Sequence, residues 1–296
     1  MSTPNGVLTR SPAVTARPKP TGRRWPTLRA IYIIWYRDIL RYWRDRWRLG
    51  ASLAQPLLFL VVFGSGLSSS LQGSTSFGAA GGLSYIQFMY PGIIGMAILF
   101  TAIFGAMSIV WDREFGFLKE VLVAPIDRSA VAIGKALGGT TQAMIQGLIL
   151  LVLAPFVGVR LSVLTVLTMI PLAAVLAFGL SSFGVALASS MKSMQGFQVV
   201  MNFLMMPMFF LSGALFPLSG LPGWMTILTR IDPASYGIDP LRRVVLSESG
   251  LPSAVIDKLG LTINGQVLSI PLEAGIMLAF GIVMLAIAVI SFKRRD

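Results

Sequence analysis

The chain has no cysteine and no histidine. Without cysteine there is no disulfide and no thiolate metal site, and the redox compartment is not legible. Without histidine the commonest metal ligand and the usual general base near neutral pH are missing. Charge is scarce as well. Only 12% of the 296 residues are Asp, Glu, Lys or Arg, about half of the roughly 25% found in a soluble domain. The few charges are unbalanced, giving a formal +12. Nucleic-acid binding needs such basic groups gathered on one solvated surface. Here they stand between apolar blocks, so nucleic acid is not an expected partner.

What is abundant is apolar residue, 55% of the chain at a mean hydropathy of +0.76. It comes in long blocks, with neither a helical nor a strand period. A hydrocarbon core of about 30 Å takes about 20 apolar residues as helix. Six blocks qualify: residues 51–71, 88–110, 136–157, 163–189, 197–217 and 271–292. The fourth is long enough to tilt, or to kink near Pro171. No charged residue lies well inside a block, and Glu273 sits near the start of the last. The expected fold is an all-α polytopic membrane protein with six transmembrane helices. Lys and Arg number 19 on the side of the N-terminal segment, the second-to-third and fourth-to-fifth loops and the C-terminal tail, against five on the other. The richer side is expected in the cytoplasm, with both termini.

Residues 1–25 are rich in Pro, Ser, Thr and Arg and hold no apolar stretch. They read as a disordered cytoplasmic tail and not as a cleavable signal peptide. Residues 26–48 read as an amphipathic helix opened by Pro26. Arg37, Arg41, Arg44 and Arg48 share one face, with Leu28, Ile31, Tyr32, Trp35, Ile39, Tyr42 and Trp43 on the other. That division suits a helix lying in the membrane interface. Two roles fit it equally, a plain anchor and a moving part.

The loop between the second and third spans is the most informative. Trp111, Phe115, Leu118 and Leu122 make an apolar stripe, and Asp112, Glu114 and Glu120 are polar. The pattern predicts a short amphipathic helix over 111–125, ended by Pro125. So short a helix needs something to pack on it.

This loop resembles the cytoplasmic signature of the ABC-2 type export permeases. An acidic, aromatic segment is followed by Glu120, Leu122 and Pro125, then Gly134 and Lys135 opening the next span. A second block is similar to the family's region around the fifth span. It runs Phe210-Leu-Ser-Gly-Ala-Leu-Phe-Pro-Leu, Leu221-Pro-Gly-Trp224, Asp232-Pro233, Asp239 and Leu241-Arg242. The family usually has Asn-Pro where this chain has Asp232-Pro233. The likeness covers residues 26–296 and is to the drug-exporter and Nod-factor-exporter subgroup.

The resemblance implies a homodimer of permeases in the cell membrane paired with two copies of a separate ATPase subunit. Asp112, Arg113, Glu114, Phe115, Leu118, Glu120, Leu122 and Pro125 would form the coupling helix on that ATPase. The helix carrying Arg37, Arg41, Arg44 and Arg48 would be the connecting helix. Residues 218–270 would form an outer re-entrant or extracellular element. ATP and Mg²⁺ would be held by the partner, since this chain has no P-loop: Lys135 is followed by Ala136, and Ser129 stands at the first glycine position. The expected substrate is amphipathic or hydrophobic, a drug, lipid or lipid-linked saccharide, and the chain itself is not an enzyme.

Within the spans, Gln142 and Gln146, and Gln198 and Asn202, are spaced four apart on single helices. Either they line a substrate path or they hydrogen-bond between helices. The methionines of the fifth span are either an adaptable surface or filler facing lipid. Two other classes also fit the chain: an ion-coupled secondary exporter, and a membrane scaffold without transport.

Overall fold

The computed structural model describes residues 25–71, 85–115, 127–159, 161–218, 220–250, 252, 255–256, 259–263 and 266–294. Its helices are α1 (Trp25–Arg44), α2 (Arg46–Leu71), α3 (Tyr85–Gly105), α4 (Met107–Glu114), α5 (Arg128–Leu153), α6 (Val163–Ser190), α7 (Met194–Leu211), α8 (Gly223–Ile231), α9 (Ser235–Leu246) and α10 (Ile270–Arg294). A two-stranded antiparallel hairpin, β1 (Thr262–Ile263) and β2 (Gln266–Val267), precedes α10.

Among the described residues, five stretches are long and apolar enough to cross a membrane: Tyr85–Glu114, Arg128–Val157, Val163–Ser190, Met194–Leu211 and Ile270–Lys293. Thr27–Arg44 and Leu49–Gly64, bent by 70° to each other, qualify as a pair and bring the number to as many as six. The all-α polytopic membrane fold is therefore observed, and each expected apolar block overlaps helix, although the second crosses the break between α3 and α4 and the fifth runs past the end of α7 at Leu211. α6 runs through Pro171 as one helix.

α3 is the centre. Every residue from Phe88 to Leu99 is buried, as a helix apolar on all sides requires when other helices surround it. α10 is equally apolar but lies at the periphery, with Leu278, Ile282, Val283, Ile287 and Ile290 exposed. Val199 and Phe203 on α7 and Leu58 and Val61 on α2 are exposed as well. Apolar surface on this scale is compatible with a bilayer and not with water.

Two close approaches fix the helix positions. α1 runs alongside α5, and a Cβ on Gly134 would stand 2.9 Å from Ile34 Cβ, one on Gly138 3.2 Å from Asp38 Cβ. Small residues four apart let two helices meet at backbone distance. Gly179 of α6 and Gly281 of α10 meet the same way, a Cβ on Gly281 falling 2.9 Å from Gly179 Cα.

The buried stripe of α1 is Ala30, Ile34, Asp38 and Tyr42. This differs from the aromatic face expected of it: Leu28, Tyr32 and Trp43 are exposed. The two glycines of α5 set which side of α1 fits, and an acid is carried in with that side. α5 also begins earlier than expected, at Arg128, where Asp127 caps it by accepting from Ser129 N. Lys135, expected just outside the third span, is thus inside the helix and 4% exposed.

Candidate functional site

At the end of the bundle where α1, α4 and α5 meet, Lys135 Nζ donates to Asp38 Oδ1 (3.2 Å), Asp112 Oδ2 (3.1 Å) and Ser108 Oγ (2.9 Å). These occupy all three ammonium protons. Arg37 adds a donor to Asp112 Oδ2 at 3.1 Å. The cluster holds two acids and two bases and is internally neutral. Buried charges are tolerated in such an arrangement, whereas removing one partner costs about 3–5 kcal/mol.

The next two residues of α4 reach other helices. Arg113 Nη1 donates to Ser189 O (3.0 Å) and Met191 O (2.5 Å), at the C-terminus of α6. Glu114 Oε2 accepts from Met194 N (2.9 Å), at the N-terminus of α7. Cation and anion each meet the helix end whose dipole favours them, an effect of about 0.3–1 kcal/mol apiece.

Beside this cluster lies a cavity of about 610 Å³ walled by α1, α2, α3, α4, α5 and α7. Its lining is mixed, with polar Asp38, Arg41, Asp45, Ser52 and Gln142 and apolar Pro56, Met96, Ala97, Phe100 and Phe104. The Arg41 guanidinium sits over the Trp111 ring at 5.6 Å, joining α1 to α4 at the cavity wall. A pocket of this size, mostly apolar with a few polar groups, is the usual form of a small-molecule site.

The structure separates the four span residues singled out by sequence. Gln142 lines the cavity. Its Nε2 reaches Asp38 O at 3.4 Å, and its Oε1 has no partner among the described residues. Gln198 also lines the cavity. Gln146 is wholly buried and bridges helices, Oε1 accepting from Tyr42 Oη (3.2 Å) and Ser52 Oγ (3.0 Å). Asn202 is exposed on α7 and away from the cavity. Of the expected coupling residues, Asp112, Arg113 and Glu114 make the contacts above. Phe115 is exposed and stacks edge-on to Trp111 at 5.6 Å. Leu118, Glu120, Leu122 and Pro125 lie outside the described residues, as does the side chain of Arg48. Arg37 is half-buried and ion-paired; Arg41 and Arg44 are exposed.

A second charged cluster, which sequence reasoning missed, lies at the opposite end. Arg242, 1% exposed, donates to Gly213 O (2.7 Å), Leu259 O (3.0 Å) and Asp239 Oδ1. Asp239 Oδ2 accepts from Leu261 N (3.0 Å). Arg243 donates to Leu268 O (2.6 Å) and lies 3.6 Å from the wholly buried Glu273. The available signal was Asp239 and Arg242 at i, i+3 in a strongly amphipathic helix. Between α8 and α9, buried Asp232 accepts from Ala234 N (3.0 Å). Burial pushes its carboxyl up to about 7, against the pull of the Ala234 amide and the Ser235 hydroxyl.

The family described as ABC-2 type transporter matches residues 29–246, from the first turns of α1 to the last residue of α9. The chain belongs to that family. The matched stretch contains both charged clusters, apart from Glu273, and the whole cavity wall. Among curated relatives, the permease is 28% identical over 244 residues to ycf38 of Cyanophora paradoxa, a protein named as a transport permease, covering 78% of this chain and 79% of that one. It is 28% identical over 230 residues to the inner membrane transport permease YadH of Escherichia coli (strain K12), covering 75% and 85%. It is 26% identical over 197 residues to Nodulation protein J of Rhizobium meliloti (strain 1021), covering 66% and 72%. The permease is thus a membrane transport protein, as the resemblance implied.

Proposed function

We propose that the permease is the membrane-spanning subunit of an ATP-driven exporter for an amphipathic or hydrophobic substrate. The observation that carries this is the cavity of about 610 Å³, lined by apolar and polar side chains together, with Trp111 and Ser108 of α4 in its wall. α4 runs directly into residues 116–126, the segment similar to the family's ATPase-docking signature. A molecule with an apolar body and a polar head suits such a lining, and α4, which leads in sequence to that segment, supplies part of it. In this reading the α1 end faces the cytoplasm, and two permeases pair with two separate ATPase subunits. ATP is bound and hydrolysed there, consistent with the missing P-loop.

A second reading, ion-coupled export, is favoured by Glu273, an acid buried at the start of α10. Its neighbour Arg243 at 3.6 Å makes a structural ion pair the simpler role. Purification of the tagged permease in mild detergent from the cells that normally produce it distinguishes the two. The expected result is an ABC ATPase subunit in equal amount with the permease, and ATP hydrolysis by the preparation. Permease recovered alone and without hydrolysis contradicts the proposal.

A further inference from the structure

Asp112, Arg113 and Glu114 are consecutive, and each holds a different part of the bundle. Asp112 holds α1 and α5 through Arg37 and Lys135. Arg113 holds the last carbonyls of α6, and Glu114 the first amide of α7. Immediately beyond, Phe115 ends the helix and the 116–126 segment begins.

We propose that these three residues are the joint through which displacement of the 116–126 segment reaches the helices, and that α7 is the helix it moves. The proposal rests on the reading that this segment docks on an ATPase. It goes further by assigning the three side chains to positioning within the permease and not to the docking surface.

The asymmetry of the contacts gives the direction of motion. Asp112 is buried with Lys135 in a neutral cluster, and α1 and α5 are in backbone contact beside it. That side is rigid. Arg113 and Glu114 instead bond to either side of the short turn between α6 and α7, residues 191–193, which is outside any helix. α7 is packed on one side only: Phe197, Met201 and Met205 are buried, while Val199, Phe203 and Met206 are exposed. Gln198, one turn from Met194, lines the cavity. A pull at the first amide of α7 therefore moves a cavity wall with little packing to disrupt, while α1 and α5 stay fixed. The charges suit the task, since each bonds to a helix end that favours its sign.

The test uses the purified permease–ATPase complex carrying Val199→Cys, the single thiol of an otherwise cysteine-free permease. The rate of maleimide labelling of that thiol is measured with and without ATP and Mg²⁺. In this background ATP is expected to change the rate several-fold. Adding Arg113→Gln and Glu114→Ala together is expected to abolish the change while the ATPase still co-purifies and hydrolyses ATP. Arg113→Lys, which keeps the charge, is expected to retain it. If the double variant is poorly recovered, Glu114→Ala alone, which removes the acceptor for Met194 N from an exposed position, reads the same loss. An ATP-dependent change that persists in both the double and the single variant overturns the proposal. Loss of the ATPase from these variants overturns it too, because the residues are then docking contacts. No ATPase, or no response to ATP, in the Val199→Cys background overturns the functional reading itself and this proposal with it.

Discussion

Asp232 shows how much one buried side chain sets in the segment between α8 and α9. Its carboxylate accepts the Ala234 amide as α9 begins, yet it is 6% exposed and burial disfavours its charge. Its pKa rises from an ordinary 3.8 to about 7. The folded protein therefore binds a proton more tightly than the unfolded chain does. Stability contributed by this group is full at low pH, falls as pH rises from about 4 to about 7, and stays low above that. Asp232→Asn keeps an acceptor for Ala234 N and cannot ionise. At pH 8 the variant is expected to melt a few degrees higher in detergent, the gap closing towards pH 4–5. The shift sets an upper bound of about 4 kcal/mol at roughly 1.4 kcal/mol per unit. Equal melting temperatures for the two proteins at pH 8 would contradict a destabilising buried charge. Lys135, Asp38 and Glu273 are residues of the same kind, and none was legible as buried. A sequence gives the cost of burying a charge but not its partners, which come from helices about a hundred residues apart in the case of Asp38 and Lys135.

Helices were far more legible than their faces. Each of the six apolar blocks overlaps helix over most of its length, because about 20 apolar residues in a row have few other uses. Which side of a helix is buried depends on its neighbours. α3 and α10 are equally apolar, but one is central and the other peripheral. On α1 the arginines promised one exposed face, yet Arg37 is drawn to Asp112 and the buried stripe includes Asp38. Gly134 and Gly138 explain this, since only the Ile34–Asp38 side lies close enough to their bare backbones. A Cβ at Gly138 would already be 3.2 Å from Asp38 Cβ. Gly138→Leu is therefore expected to push α1 off α5 and strip Lys135 of Asp38, costing about 3–5 kcal/mol. Gly275→Leu on α10, where nothing lies within 4 Å, is expected to leave stability unchanged. Thermal unfolding of the two variants checks this. A Gly138 variant as stable as the Gly275 variant would show that the glycine contact does not position α1.

At the scale of the whole molecule, the permease has a charged cluster at each end of an apolar bundle and an amphipathic cavity near one of them. The likeness of the loop after the second span to the family's docking signature was legible. The cavity was not, because its wall draws on six helices and the two candidate pairs for a substrate path supplied only Gln142 and Gln198 to it. The two clusters also bear on the choice between ATP and an ion gradient. A proton carrier in a membrane needs an acid or histidine along its route. The chain has no histidine, and the acids buried among the described residues are held by arginine, lysine or backbone partners. Glu273, paired with Arg243 at 3.6 Å, is the one acid placed to contradict this. The direct measurement is transport in proteoliposomes holding the permease and its ATPase, using the amphiphile that most stimulates ATP hydrolysis by the complex. The account predicts movement with ATP and no ion gradient, unchanged in direction and ATP dependence by Glu273→Gln in whatever protein folds. Movement driven by a proton gradient in vesicles lacking the ATPase, and lost on Glu273→Gln, would contradict it.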